Sequence, residues 1–180
     1  MTEEAKALFI LPHYDFYDDE YFELKKLLEE KGIRTEVCST HASEAQGRFR
    51  KLVEPEFLLQ DVESEDYDVF VFVGGEGASE LHHDVDIQNL VNEICTERKL
   101  IILFDEAVPI LYYANVIDGR KVTAPEHLKI ELEEGGAYYT GKGIQKDGEV
   151  ITAFDHRSVS DVAKEIFKSL KIEQKANDDL

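Results

Sequence analysis

The chemistry-bearing residues of this chain gather where short apolar runs end. Asp105 and Glu106 directly follow Leu100-Ile101-Ile102-Leu103-Phe104, and Gly74-Gly75-Glu76-Gly77 directly follows Val69-Phe70-Val71-Phe72-Val73. His13 comes just after Ala7-Leu8-Phe9-Ile10-Leu11, and an acidic turn, Phe16-Tyr17-Asp18-Asp19-Glu20, comes soon after it. A carboxylate such as Asp105 can serve as a base, as a metal ligand, or as a nucleophile at alkyl or phosphoryl centres. It attacks amides, aldehydes and thioesters poorly. Gly74-Gly75-Glu76-Gly77 reads as a tight turn needing positive φ. It is neither a Walker loop nor a dinucleotide fingerprint, because the lysine and the later glycine are missing. Among the six histidines, His13 stands at the mouth of this candidate site. The run His82-His83-Asp84-Val85-Asp86 has metal-ligand residue types but reads better as a solvated helix entry. His41, His127 and His156 show no recognisable spacing, and Tyr14, Tyr17, Tyr112 and Tyr113 read as core or interface aromatics.

Elements that position these residues alternate between strand and helix. The runs Ala7–Leu11, Arg34–Cys38, Val69–Val73 and Leu100–Phe104 are short and apolar or β-branched, as in strands covered on both faces, with late strands at Lys121–Thr123 and Val150–Thr152. Phe22, Leu24, Leu27 and Leu28 recur at helical spacing up to Gly32, a second helix is expected from about Ile87 to Glu97, and apolar positions continue at helical spacing through Ile110–Tyr113. Val159, Val162, Ala163, Ile166, Phe167 and Leu170 share one face of a closing helix. Ser39–Arg50 is polar and reads as a loop or an irregular excursion. Strands separated by helices imply a mostly parallel sheet with helices on both faces. Ligand sites in such sheets lie beyond the carboxyl ends of the strands, which here means the loops after Leu11, at Gly74-Gly75 and at Asp105.

Charge narrows the partners. Lys plus Arg total 20 against 39 Asp plus Glu, a formal charge of −19. Such a balance repels nucleic acid and anionic lipid, so neither is expected as a partner. No apolar run approaches a membrane span, and the N-terminus has no secretory pattern, so the expected location is the cytoplasm. Cys38 and Cys95 have no CxxC spacing and read as small hydrophobes rather than as a disulfide, a zinc site or a reactive thiol.

The ordered set of motifs resembles the ThiJ/PfpI superfamily over roughly residues 6 to 172. The elements that carry the likeness are the acidic turn with Glu20, Tyr67-Asp68 before the strand and glycine pair, the strand ending at Asp105, Gly119-Arg120-Lys121-Val122-Thr123, and Asp147–Thr152 before the closing helix. The resemblance implies a flavodoxin-like α/β three-layer sandwich, similar to class I glutamine amidotransferase domains. It also exposes a departure. Where the family carries a nucleophilic cysteine and then a histidine, this chain carries Asp105 and Glu106. A family variant places a histidine just after the Val-Thr pair, but Ala124-Pro125-Glu126 stands there, and His127 is out of register. Cysteine-dependent protease, deglycase or glyoxalase chemistry is therefore expected to be absent.

Glu20 aligns with the family glutamate that hydrogen-bonds the nucleophile, so the resemblance brings Glu20 and Asp105 together. Two such carboxyls cannot both ionise cheaply. Three arrangements follow: a shared proton that holds the turn, a divalent metal held by Glu20, Asp105 and His13 or Glu106, or an acid/base pair. With helix-dipole help, Asp105 is expected to stay ionised and Glu20 to carry the proton. Gly75 and Glu76 are the carried-over oxyanion donors. The expectation is one domain over residues 1–172 with a polar tail at 173–180. It has lost cysteine chemistry and keeps a pocket for a small molecule or ion. No organic cofactor is expected, and a divalent metal stays open. The alternatives are a hydrolase or lyase using Asp105 and Glu20, and a structural or regulatory oligomer subunit. A homo-oligomer is expected, with Tyr112-Tyr113 suited to its interface.

Overall fold

The computed structural model describes residues 4–172, so the polar tail expected over 173–180 lies outside the described residues. The strands, in chain order, are β1 (Lys6–Leu11), β2 (Tyr14–Phe16), β3 (Arg34–Ser39), β4 (Ala45–Gly47), β5 (Leu52–Val53), β6 (Phe57–Leu58), β7 (Val69–Phe72), β8 (Leu100–Phe104), β9 (Lys121–Val122), β10 (Tyr138–Tyr139), β11 (Ile144–Asp147) and β12 (Val150–Ala153). The helices are α1 (Asp18–Glu29), α2 (Val85–Thr96), α3 (Ile110–Tyr113), α4 (Lys129–Glu134) and α5 (Val159–Ser169).

Seven strands form the central sheet in the order β11-β12-β8-β7-β1-β3-β6. Every pairing in it is parallel except β11–β12. The expected α/β architecture with a mostly parallel sheet is therefore the observed one. Val69 pairs with Leu100 and Phe72 with Leu103, so β7 and β8 are adjacent, parallel and fully buried.

The continuous apolar runs have a direct cause. Successive side chains of a strand point to opposite faces, and here both faces are covered. Leu8, Ile10, Phe70, Phe72, Ile101 and Leu103 share a core with Ile87, Leu90, Val91 and Ile94 of α2. Their neighbours Phe9, Leu11, Val69, Val71, Ile102 and Phe104 share the opposite core with Leu24 and Leu28 of α1 and the apolar face of α5. No helix among the described residues is long and apolar enough to cross a membrane.

Three differences from the sequence reading have physical reasons. Helix α1 starts at Asp18, not Phe22, because Asp18, Asp19 and Glu20 fill its first turn, where the helix dipole favours negative charge. Asp84 caps α2 by accepting from the amides of Asp86 (2.9 Å) and Ile87 (3.1 Å), which moves its start forward to Val85. The Ser39–Arg50 stretch is not a plain loop. Its Ala45–Gly47 segment pairs with β2 and β5 in a small three-stranded sheet beside the main one.

Candidate functional site

Strands β1, β7, β8 and β12 run parallel and end on one edge of the sheet, and the site lies where they end. Beyond β7, two successive backbone amides each hold a carboxyl group. The Gly74 N–H donates to Glu20 Oε2 at 2.7 Å, and the Gly75 N–H donates to Asp105 Oδ2 at 3.3 Å, long for such a bond. Glu20 is presented by the first turn of α1, which the Tyr17 N–H anchors to the Gly74 carbonyl at 3.0 Å.

Both glycines are demanded by space. A Cβ on Gly74 would stand 2.6 Å from the Phe104 carbonyl oxygen and 2.7 Å from Asp105 Cβ. Gly75 has a φ of +94°, and a Cβ there would meet the Asp15 carbonyl oxygen at 2.3 Å. The tight-turn reading of this loop therefore has a steric basis, and its Gly75 N–H is already engaged by a carboxylate of the chain itself. Asp105 turns the corner out of β8 with a φ of 51°, a left-handed conformation that Asp and Asn tolerate better than most residues.

Electrostatics separates the two carboxyls. Glu20 is fully buried. Burial first, and the Asp105 charge second, hold its carboxyl well above the usual carboxylate range, against the opposing Gly74 hydrogen bond. Asp105 is half-buried, and burial followed by the neighbouring Glu106 charge pushes it up to about 6. The Gly75 hydrogen bond and His127 work the other way. Asp105 was expected to stay ionised with helix-dipole help, yet its carboxyl too is shifted upward. Asp105 opens a 3-10 turn over Asp105–Ala107, and the helix beyond it, α3, is only four residues long. Little aligned dipole stands behind Asp105, and desolvation outweighs it.

Around this pair the structure gathers residues that sequence reasoning set aside. His127 Nε2 reaches Glu106 Oε1 at 2.5 Å, and His82 Nε2 meets the Glu106 carbonyl at 2.6 Å. His82 is buried rather than solvated, its ring stacked near Tyr113. On the other side, the Tyr17 and His156 rings stack with centroids 4.2 Å apart. Arg48 pairs with Glu76 at 3.1 Å, and Arg157 pairs with Asp155. Asp155 and His156 were legible in principle. They follow β12, whose Ala153 pairs with Phe104, so the strand-end rule that singled out Asp105 applies to them equally.

Other expected members are placed elsewhere. His13 is buried, and its contacts are with Tyr14, His41, Ser43 and Glu80, not with the carboxyl pair. Glu76 is exposed and faces Arg48. No group of three or more His, Cys, Asp or Glu side chains among the described residues is arranged to hold a metal ion. Cys38 is buried within β3 and Cys95 is part-buried on α2, and burial raises both thiol pKa values. Tyr112 and Tyr113 are half-buried by their own chain, with the Tyr113 hydroxyl donating to Glu131 at 2.7 Å.

The model of the DJ-1/PfpI family matches residues 5–169. An uncharacterized protein of Methanocaldococcus jannaschii is 34% identical over 155 residues, which cover 84% of this chain and 75% of that protein. General stress protein 18 of Bacillus subtilis is 25% identical over 78% of this chain and 83% of its own length. Among solved structures, a ThiJ/PfpI domain protein from Brachyspira murdochii superposes with a TM-score of 0.88 at 27% identity, covering 94% of this chain and 98% of that one. Drosophila melanogaster DJ-1beta has the same fold, with a TM-score of 0.80 at 21% identity over 95% of this chain and all of its own.

Proposed function

This chain belongs to the DJ-1/PfpI family, and on that premise we propose that it works without a thiol, with Asp105 in the place of the family's nucleophilic cysteine. The pocket over the Glu20–Asp105 pair then binds a small molecule or ion. One observation carries this reading. The residue at the strand-end corner, with a φ of 51° and the Gly75 amide against it, is a carboxylate, while both cysteines lie in other elements. An ionised Asp105 lacks the nucleophilicity toward carbonyl carbon that a thiolate has.

The test is a Cys38→Ser/Cys95→Ser double variant assayed beside wild type for turnover of small aldehydes and peptides. The expected result is equally low turnover by both proteins. Turnover by wild type that disappears in the double variant would show a working thiol and overturn the reading.

A second reading, acid/base catalysis by a hydrolase or lyase, draws support from the raised Asp105 carboxyl. A general base works best with a pKa near the operating pH, and burial with the Glu106 charge pushes Asp105 up to about 6. On this reading, turnover climbs as pH rises through about 6, as Asp105 reaches its base form. It also disappears in Asp105→Asn and survives in the double cysteine variant. A rate that ignores pH across that window excludes Asp105 as the base.

A further inference from the structure

We propose that the Gly141-Lys142-Gly143 loop and Arg157 form a phosphate-binding site, which takes free phosphate or the phosphate group of a small organic molecule. Neither Asp105 nor Glu20 lines this site, so the inference stands independently of the reading above.

The backbone donors come first. A cavity of about 320 Å3 lies past the end of β12, lined by Gly141, Gly143, Phe154, Asp155, Arg157 and Ser158. The N–H groups of Gly141, Lys142 and Gly143 have no acceptor among the described residues. The carbonyls of the loop are pinned inward. Lys142 O accepts Thr123 Oγ1 at 2.5 Å, and Gly143 O accepts the Phe154 N–H at 2.9 Å and Ser158 Oγ at 2.8 Å. No peptide bond among the described residues is cis, so the inward Lys142 carbonyl turns the Gly143 N–H outward. Gly141 has a φ of +64°, the left-handed kind of turn that lets successive N–H groups converge on an anion. The amides of Gly74 and Gly75, by contrast, are already taken by carboxyls of the chain.

Charge agrees with this assignment. Lys142 is exposed, and its ammonium has no ion-pair partner among the described residues. Arg157 is held in place by Asp155, which accepts from Nε at 2.9 Å and also from Nη2. A guanidinium carries five donors, so Nη1 is left for a ligand on a side chain already ordered. Asp155 is the one acidic residue of the lining, and Arg157 balances it, which leaves the Lys142 charge over. The formal −19 of the whole chain opposes an anion only weakly here, because salt screens charges beyond about 8 Å. Helix α5 starts at Val159, next to the lining residue Ser158, so its positive end stands at the cavity wall.

Gly143 supplies the third argument. Its φ is not positive, and a Cβ there would meet only Ser158 Oγ, at 3.6 Å. Nothing in the folded chain requires a glycine at this position. A side chain would project toward the cavity that Ser158 lines, and its absence keeps the loop amides open to a ligand. Three amides, an ammonium and a guanidinium exceed what the two oxygens of a carboxylate can accept. A phosphate group offers three oxygens and nearly two charges. The volume is near the lower end for ligand cavities, which suits a small molecule, and Phe154 gives it an apolar wall.

The experiment titrates inorganic phosphate, phenyl phosphate, sodium benzoate and phenol at pH 7.5 and constant ionic strength. The proteins are wild type, Gly143→Ala and a Lys142→Gln/Arg157→Gln double variant, and affinity is read from NMR shifts of backbone amides. Both phosphates are expected to shift Gly141, Lys142 and Gly143, and phenyl phosphate to bind at least about tenfold more tightly than benzoate or phenol. Each variant is expected to weaken phosphate binding at least about tenfold, the order of effect for one charge-assisted contact. Gly143→Ala should do so with its denaturant midpoint unchanged, which separates a lost site from a lost fold. Phenyl phosphate binding more tightly than inorganic phosphate supports an organic phosphate as the ligand, and equal affinities support free phosphate. Phosphate shifts that lie elsewhere or persist in both variants overturn the site. Benzoate binding as tightly as phenyl phosphate, or no shift with any probe, overturns it too.

Discussion

Replacing Asp105 by Asn makes the folded protein more stable at pH 7 and leaves it no more stable than wild type at pH 3.5. An Asp in an unfolded chain titrates near 3.8, and in the folded protein Asp105 is pushed up to about 6 by burial and by Glu106. The folded state therefore binds the proton more tightly than the unfolded state. The Asp105 contribution to wild-type stability falls as pH rises from about 4 through about 6 and stays lost above that window. Asparagine has no charge to desolvate, accepts the Gly75 N–H through its side-chain oxygen and tolerates the positive φ of this corner. It also removes the second cause of the upward shift at Glu20, which favours the variant further at neutral pH. Each pKa unit is worth about 1.4 kcal/mol, but Asp105 keeps a solvent-facing side that screens the effect. A gain on the order of 1–2 kcal/mol at pH 7 is expected, shrinking to nothing near pH 3.5. Urea unfolding of both proteins at pH 3.5, 5, 6 and 7 measures it. A variant less stable by a constant amount at every pH would make Asp105 a structural anchor, and the site reading would fail.

The parts of the fold that could be read in advance are those where one physical requirement dominates. Val69–Val73 and Leu100–Phe104 are apolar at every position, which only a strand covered on both faces explains, and Gly74-Gly75 marks where one of them stops. The pair β2–β4 and strand β10 resisted because strands of two or three residues have no visible period. Asp18-Asp19-Glu20 was read as a turn because its acidity is equally that of a helix start, and the apolar period appears only at Phe22.

The site divides in the same way. Asp105, Glu20 and Gly75 were legible through strand ends and motif order. His127 and His82 were not, because Glu106 gathers them from separate elements through contacts that leave no spacing in the chain. His13 was misplaced by the same rule that placed Asp105. Its nearness to a strand end is real, but the small β2–β4–β5 sheet takes up that loop, and its carbonyl accepts the Gln46 amide at 2.9 Å.

Gly74→Ala should be a strongly damaging small substitution at this site, lowering stability by about 3 kcal/mol, the upper part of the usual range for overpacking. The new methyl would stand 2.6 Å from the Phe104 carbonyl oxygen, 2.7 Å from Asp105 Cβ and 3.0 Å from Glu20 Oε2. Only the last of these belongs to the far end of a side chain. The first two are fixed by the β7–β8 ladder, where Phe72 pairs with Leu103, so relief requires the two central strands to part at their carboxyl ends. Parting them also pulls the Gly74 and Gly75 amides away from Glu20 and Asp105, leaving a fully buried carboxyl without its one hydrogen bond. Gly143→Ala is the matched control. Its methyl would find only Ser158 Oγ, at an ordinary 3.6 Å, and its backbone φ is not positive, so a change within about 0.5 kcal/mol is expected there. Denaturant midpoints of the two variants, measured at one pH, decide between a steric and a compositional account of the glycine pair. Equal and small losses at both positions would mean that the close approach at Gly74 relaxes freely. The carboxyl pair would then not be held in place by the strands beneath it.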